Sequence, residues 1–420
     1  MTAKRNTIVT IDFFDEVWVR KRPVNARDIE DLLARIKDCG AEGVAWRLTF
    51  LGQAAFRSRV LSPPFLDLDD FHFTLNTMKQ RGMKNGFPEE ESERRNLVEW
   101  LQATLAGIDP LAVASEACRK LGLKFIPWYD IFDGWQAGSY NTLLHERPEL
   151  CWTDRSGTKH LRGVASYAFP ETVDQVVRVV EECNAYQPDG FYLCCSCHST
   201  HLAEHPEALR DGFGFELPVI ERCVRETGKD PRHEKVDIAV LDRIRGEFMT
   251  EFFAKVRQAL RPAADLHLPL QMHANLVKTS PYWDGPAAVR YYQDYRTWVD
   301  KGIAQGLVLG DFECLFDWRP NWVVKGGLPR RPEDSLPVDQ LDVLLPDLPW
   351  DKCRIYFFSG WIRTRQIINN RLNVMAEACR KHTQAGGWIH EAASIETVDA
   401  WDILPRFTDI AKEPMHSESL

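Results

Sequence analysis

Short apolar runs alternate along the chain with longer segments whose apolar residues recur every three or four positions. The first run, Thr7-Ile8-Val9-Thr10-Ile11, precedes a segment in which Ile29, Leu32, Leu33 and Ile36 fall on one helical face. Asn25 stands where a helix N-cap is expected, and Gly40 where the helix should close. The same layout returns seven more times. Strands are expected over 7–15, 43–48, 123–130, within 188–198, and over 268–275, 307–313, 354–359 and 387–391. Helices are expected over 94–107, 110–121, 171–185, 240–260, 287–301, 338–345, 364–384 and 396–404. The connections after strands 2, 3, 4 and 6 are long and rich in aromatic and polar residues, which in a compact domain points to function.

Strands that alternate with helices imply a parallel sheet. Eight such units in succession imply a (β/α)₈ barrel, here a single domain over residues 1–420 with no break in composition. A doubly wound sheet is the rival topology, but no G-x-G-x-x-G follows the first strand to support a dinucleotide site. No cofactor is expected.

Composition narrows the setting. With 44% hydrophobic residues the chain can bury a large core, and no apolar run approaches the roughly 20 residues of a membrane helix. The apolar run near the start stops at Asp12, too soon for a secretory signal, so a cytoplasmic location is expected. Eleven scattered cysteines, an odd number, fit free thiols in a reducing compartment. A net charge of −9 without a Lys/Arg block argues against a nucleic-acid partner.

In a (β/α)₈ barrel the reacting groups lie at the C-terminal ends of the strands. That rule selects Asp12 and Asp15, Arg47, Trp128 to Asp130, Ser196 to His198, Gln271 to Asn275, Asp311 and Glu313, Ser359 to Trp361, and His390-Glu391. Side chains alternate along a strand, so Gln271, His273 and Asn275 share one face, as do Asp311 and Glu313. Carboxylates gathered in a cleft repel one another, and such clusters usually serve acid/base work or cation binding. The run Cys194-Cys195-Ser196-Cys197-His198 lacks the C-x₂-C spacing of zinc sites, so buried packing is the better reading and no metal is assigned.

Several segments together resemble the family-10-like glycosyl hydrolases, a bacterial (β/α)₈ group. They are Gly43-Val44-Ala45-Trp46-Arg47-Leu48-Thr49-Phe50, Ser166-Tyr167-Ala168-Phe169-Pro170-Glu171, Asp189-Gly190-Phe191-Tyr192-Leu193, Asp211-Gly212-Phe213-Gly214-Phe215, and Tyr295-Arg296-Thr297-Trp298-Val299 with Leu307-Val308-Leu309-Gly310-Asp311. The resemblance covers roughly residues 7–395 and implies a barrel that cleaves a glycosidic bond. True family-10 enzymes place glutamates at the ends of strands 4 and 7. Those positions here hold Ser196-Cys197-His198 and Ser359-Gly360-Trp361, so that mechanism does not carry over. The group is also distantly similar to an inverting sialidase family that uses a strand 1 Asp; Asp12 matches it, and Arg47 or Arg363 would meet the sugar carboxylate.

The expected function is therefore glycoside hydrolysis with carboxylate acid/base catalysis. Asp12, Asp130, Asp311 and Glu313 are the candidate acid and base. Trp128, Tyr129 and Trp361 would stack on sugar rings; Arg47, His198, Gln271, His273, Asn275, His390 and Glu391 would bind hydroxyls or a carboxylate. An inverting course is favoured because the candidates sit on well-separated strands. The alternatives are a sialidase-type enzyme using Asp12, a non-catalytic carbohydrate-binding barrel, and a metal-dependent lyase or isomerase using His273, Asp311, Glu313 and Glu391.

Overall fold

A computed structural model describes residues 6–50, 52–63, 90–132, 142–194, 212–273, 290–310, 348–359 and 385–405, with isolated positions between them. Its centre is a closed barrel of eight parallel strands: β1 (Asn6–Ile11), β2 (Gly43–Arg47), β3 (Lys124–Asp130), β4 (Gly190–Cys194), β5 (Asp265–His273), β6 (Gly306–Gly310), β7 (Arg354–Phe358) and β8 (Ala385–Ile389). Each strand pairs with the next, and β8 returns to β1 with Ile8 opposite Trp388. Closure leaves the barrel without a free edge.

Alternation along the strands builds two cores. One face points into the barrel, where Ile8, Ala45, Ile126, Trp128, Tyr192, Val308, Tyr356 and Trp388 form a buried cluster. The other face points to the helices, and Val9, Val44, Phe125, Leu268, Leu307 and Ile355 pack there. The helices meet this face with their own apolar stripes. Ile29, Leu32, Leu33 and Ile36 lie on α2 (Ala26–Asp38), and Val173, Val176 and Val180 on α5 (Pro170–Cys183). Between them in the chain run α3 (Glu91–Gly107) and α4 (Pro110–Leu121), and later come α6 (Leu217–Thr227) and α7 (Ile238–Ala259).

Three expectations need correction. Strand 1 does not continue to Asp15: it ends at Ile11, and α1 (Phe13–Arg20) begins at once. Asp12 makes the break, because its carboxylate accepts the Phe14 amide at 3.1 Å and caps the helix. The helix expected over 287–301 is only α8 (Tyr295–Asp300), started by Asp294 accepting the Thr297 amide at 3.2 Å; Arg290–Tyr292 before it is a strand paired with Tyr282–Asp284. In place of the helix expected over 396–404 stands α9 (Ala392–Thr397), which starts earlier and ends before Asp399. Asp399 takes a left-handed turn (φ 47°), and the Ala400 amide closes back on the Ile395 carbonyl at 3.0 Å.

The connections after β2, β3 and β4 are long. They hold a small hairpin (Thr49–Phe50 with Gln53–Ala54), a second two-stranded sheet (Cys151–Thr153 with His160–Ala165) and α6. The connection after β6 and the helices expected over 338–345 and 364–384 lie outside the described residues, apart from Arg365. Seven described cysteines are free and buried. Among the described residues no helix is long and apolar enough to cross a membrane.

Candidate active site

Inward-facing positions at the C-terminal ends of β1, β2, β3 and β8 converge on one group of polar side chains. Ile8 and Thr10 face inward on β1, and Asp12 follows in the same alternation. Ala45 leads in the same way to Arg47, Ile126 and Trp128 to Asp130, and Trp388 to His390. The apolar layer below thus becomes polar at the mouth. Asp12, Arg47, Asp130 and Glu391 are 4%, 3%, 2% and 1% exposed. Charges buried this deeply need partners.

Arg47 is the hub. Its Nη1 donates to Asp12 Oδ2, and its Nη2 lies 3.8 Å from Asp130 Oδ2. Its guanidinium also sits over the Trp128 ring, 5.2 Å from the centroid. Both aspartates are further fixed by backbone, Asp12 by the Phe14 amide and Asp130 by the Phe132 amide at 3.1 Å. His390 is held on several sides. Its Nδ1 is 3.0 Å from Thr10 Oγ1, its amide donates to Ser359 Oγ at 2.9 Å, and its ring packs against Trp128 and Phe358. Its Nε2 lies 3.5 Å from Glu391 Oε2.

Glu391 precedes α9 and lies close to Asp15 in the first turn of α1. Burial pushes the Glu391 carboxyl well above its ordinary value; the Asp15 and Asp12 charges add to this, and Arg47 opposes it. Burial likewise raises Asp15 to about 7, with Asp12 adding and Glu391 and Arg47 opposing. Two carboxyls this close share a proton, and they titrate as a pair. Asp15 retains some surface exposure while Glu391 has almost none.

Of the fourteen residues expected at the site, the structure gathers Asp12, Arg47, Trp128, Asp130, His390 and Glu391. Tyr129 does not join them: it faces outward, into the core between strands and helices, as alternation from Trp128 requires. Trp128 is in the barrel interior with its face toward Arg47, so its stacking partner there is a guanidinium. Gln271 and His273 lie on β5, but their side chains are not described. His198, Asn275, Asp311, Glu313 and Trp361 lie outside the described residues. Asp15 was not among the expected acids and bases. Its signal was the Asp12-Phe13-Phe14-Asp15 spacing, which reads as an N-cap and a first-turn acid once the helix is placed at Phe13.

The chain matches no protein-family model and no curated protein. Solved structures do resemble it. The catalytic domain of a β-amylase from Paenibacillus polymyxa aligns over 99% of this chain and 100% of its own, at 10% identity and a TM-score of 0.51. A maltogenic α-amylase from Thermotoga neapolitana aligns over 98% of this chain and 77% of its own, at 11% identity and a TM-score of 0.47. A β-1,4-mannanase of family GH113 aligns over 97% and 99%, at 10% identity and a TM-score of 0.41. Only the first is similar enough to bear on architecture, and it agrees with what the strand pairing shows: this chain is a (β/α)₈ barrel.

Proposed function

We propose that this protein is a glycoside hydrolase whose general acid is Glu391, working with Asp15. The observation that carries the reading is a carboxyl pair at the barrel mouth that keeps a proton near neutral pH, beside further carboxylates fixed by an arginine. Glycoside cleavage asks for that combination: one carboxyl that stays protonated and a second that accepts a proton or attacks. The β-amylase catalytic domain is built on the same fold, which is compatible with the reading but does not carry it.

In this scheme Glu391 gives its proton to the glycosidic oxygen as the bond to the anomeric carbon breaks. Water attacks that carbon from the opposite face and loses its proton to a second carboxylate. Asp130 is the described candidate for that base; Asp311 and Glu313 are the others. Asp12, which caps α1 and holds Arg47, positions the group. Glu391 follows β8 and Asp130 ends β3, three strands apart around the barrel. That favours the wider spacing of about 6.5–9.5 Å that leaves room for water and inverts the anomeric centre.

The test is hydrolysis of a broad panel of nitrophenyl and methylumbelliferyl glycosides. Glu391→Gln should lower kcat on any cleaved member by about 10²–10⁴-fold with the unfolding temperature preserved. Proton NMR of the first-formed product should show the inverted anomer. A Glu391→Gln enzyme with undiminished turnover would remove Glu391 from the mechanism.

A further inference from the structure

Thr49 stands two residues beyond Arg47, at the start of the small hairpin that follows β2. Its neighbours fix its direction. Leu48 and Phe50 both belong to the core between strands and helices, and Phe50 stacks on Phe14 of α1. Alternation therefore turns Thr49 the other way, to the side of Ala45 and Arg47. The strand pairing fixes its level. Arg47 lies opposite Trp128, and the Leu48 amide still donates to the Trp128 carbonyl at 2.8 Å. The same register carries Thr49 to the level of Asp130, which ends β3. Thr49 is 1% exposed, and among the described residues its Oγ1 has no hydrogen-bond partner. Buried hydroxyls are nearly always bonded, and polar groups that face one another without touching are commonly joined by water.

We propose, on the reading of Asp130 as the catalytic base, that Thr49 Oγ1 and Asp130 together hold the attacking water. The water donates one hydrogen to the Asp130 carboxylate and the other to Thr49 Oγ1, which leaves a lone pair to face the anomeric carbon. As the water oxygen bonds to that carbon, the first hydrogen passes to Asp130 and the second stays on the new hydroxyl. The glycosidic oxygen leaves with the Glu391 proton. Two partners fix the direction of the lone pair, where a single carboxylate would let the water turn.

The first test needs no substrate. A crystal structure of the whole protein should show an ordered water within about 3.2 Å of both Thr49 Oγ1 and an Asp130 carboxylate oxygen, lost in Thr49→Val. Density without that water, or Thr49 Oγ1 bonded to another protein group, would overturn the proposal. The unfolding temperature of Thr49→Val should stay within about 2 °C of the wild type; a larger fall would show that the fold itself uses the hydroxyl. The second test is kinetic, on any glycoside the protein cleaves. Thr49→Val should lower kcat by about 10–100-fold with KM within about twofold, and Thr49→Ser, which keeps the hydroxyl, should restore most of the turnover. Equal loss in both variants would overturn the proposal, as would full turnover in Thr49→Val where Asp130→Asn is impaired. Full turnover in Asp130→Asn would instead remove Asp130 as the base, so the two readings fail by different results.

Discussion

At the scale of single residues, Arg47 sets the structure of the mouth. It neutralises carboxylates arriving from two different strands, and each of the three side chains is almost wholly buried. Removing one partner of a buried ion pair leaves an uncompensated charge, which typically costs about 3–5 kcal/mol. Arg47→Met, which keeps the aliphatic stem, is therefore expected to lower stability by about that amount in urea titration. Asp15→Asn should cost far less, because Asp15 is partly exposed and loses only a strained charge. His267 is buried in the barrel interior for a different reason. Gly190 and Gly306 on the flanking strands leave room for its ring, and an added Cβ at Gly306 would fall 2.3 Å from His267 Nδ1. Burial holds that imidazole neutral, at about 3, with Lys124 and Arg354 adding to the shift.

At the scale of elements, the termini of two helices bring the acid pair together. α1 starts one residue after Asp12 and carries Asp15 in its first turn, while α9 starts one residue after Glu391. The cap at Asp12 therefore fixes where Asp15 points, and a shift of the helix start would part it from Glu391. α2 offers a cleaner measure of what a cap contributes here. Asn25 accepts the Arg27 and Asp28 amides at 2.9 and 3.2 Å, and Asp28 accepts the Asn25 amide at 2.9 Å, completing a capping box. Asn25→Ala should destabilise the protein by about 1 kcal/mol, read as a lower urea midpoint at unchanged slope, with the mouth unaffected.

At the scale of the whole molecule, the carboxyls give stability a direction in pH. Asp15, Glu16 and Glu216 are each raised to about 7, chiefly by burial, and Glu391 is raised further. The folded protein holds these protons where the unfolded chain releases them, near the ordinary 3.8 and 4.5. Their contribution is thus present below the ordinary values and is lost as pH rises through about 7. His267 has the opposite sign, but its effect is confined between about 3 and its ordinary 6.5. The unfolding temperature should therefore fall as pH is raised from about 6.5 to about 8, in calorimetry at constant ionic strength. A rise over that interval would contradict the assignment.

The barrel was legible because its signal is repetition. Eight apolar runs, each followed by a helical stripe such as Ile29, Leu32, Leu33 and Ile36, allow few other topologies. The side chains at the mouth were partly legible, since Asp12, Arg47, Asp130, His390 and Glu391 sit at strand ends by rule. Their roles were not. Strand position does not say which carboxyl will be desolvated beside another, and the Asp15–Glu391 pairing joins residues from opposite ends of the chain. Tyr129 misled for a simpler reason: it lies one residue from an inward position and so points outward.

The most direct test of the account is the pH dependence of kcat/KM for hydrolysis, compared between the wild type and Asp15→Asn. The wild type should lose activity as pH rises through the titration of the acid pair, at about 7 or above. Asp15→Asn removes a negative neighbour that holds the Glu391 proton in place, so its alkaline limb should move to lower pH. An alkaline limb at the same pH in both proteins would contradict the account, because the proton lost in catalysis would then not belong to the pair.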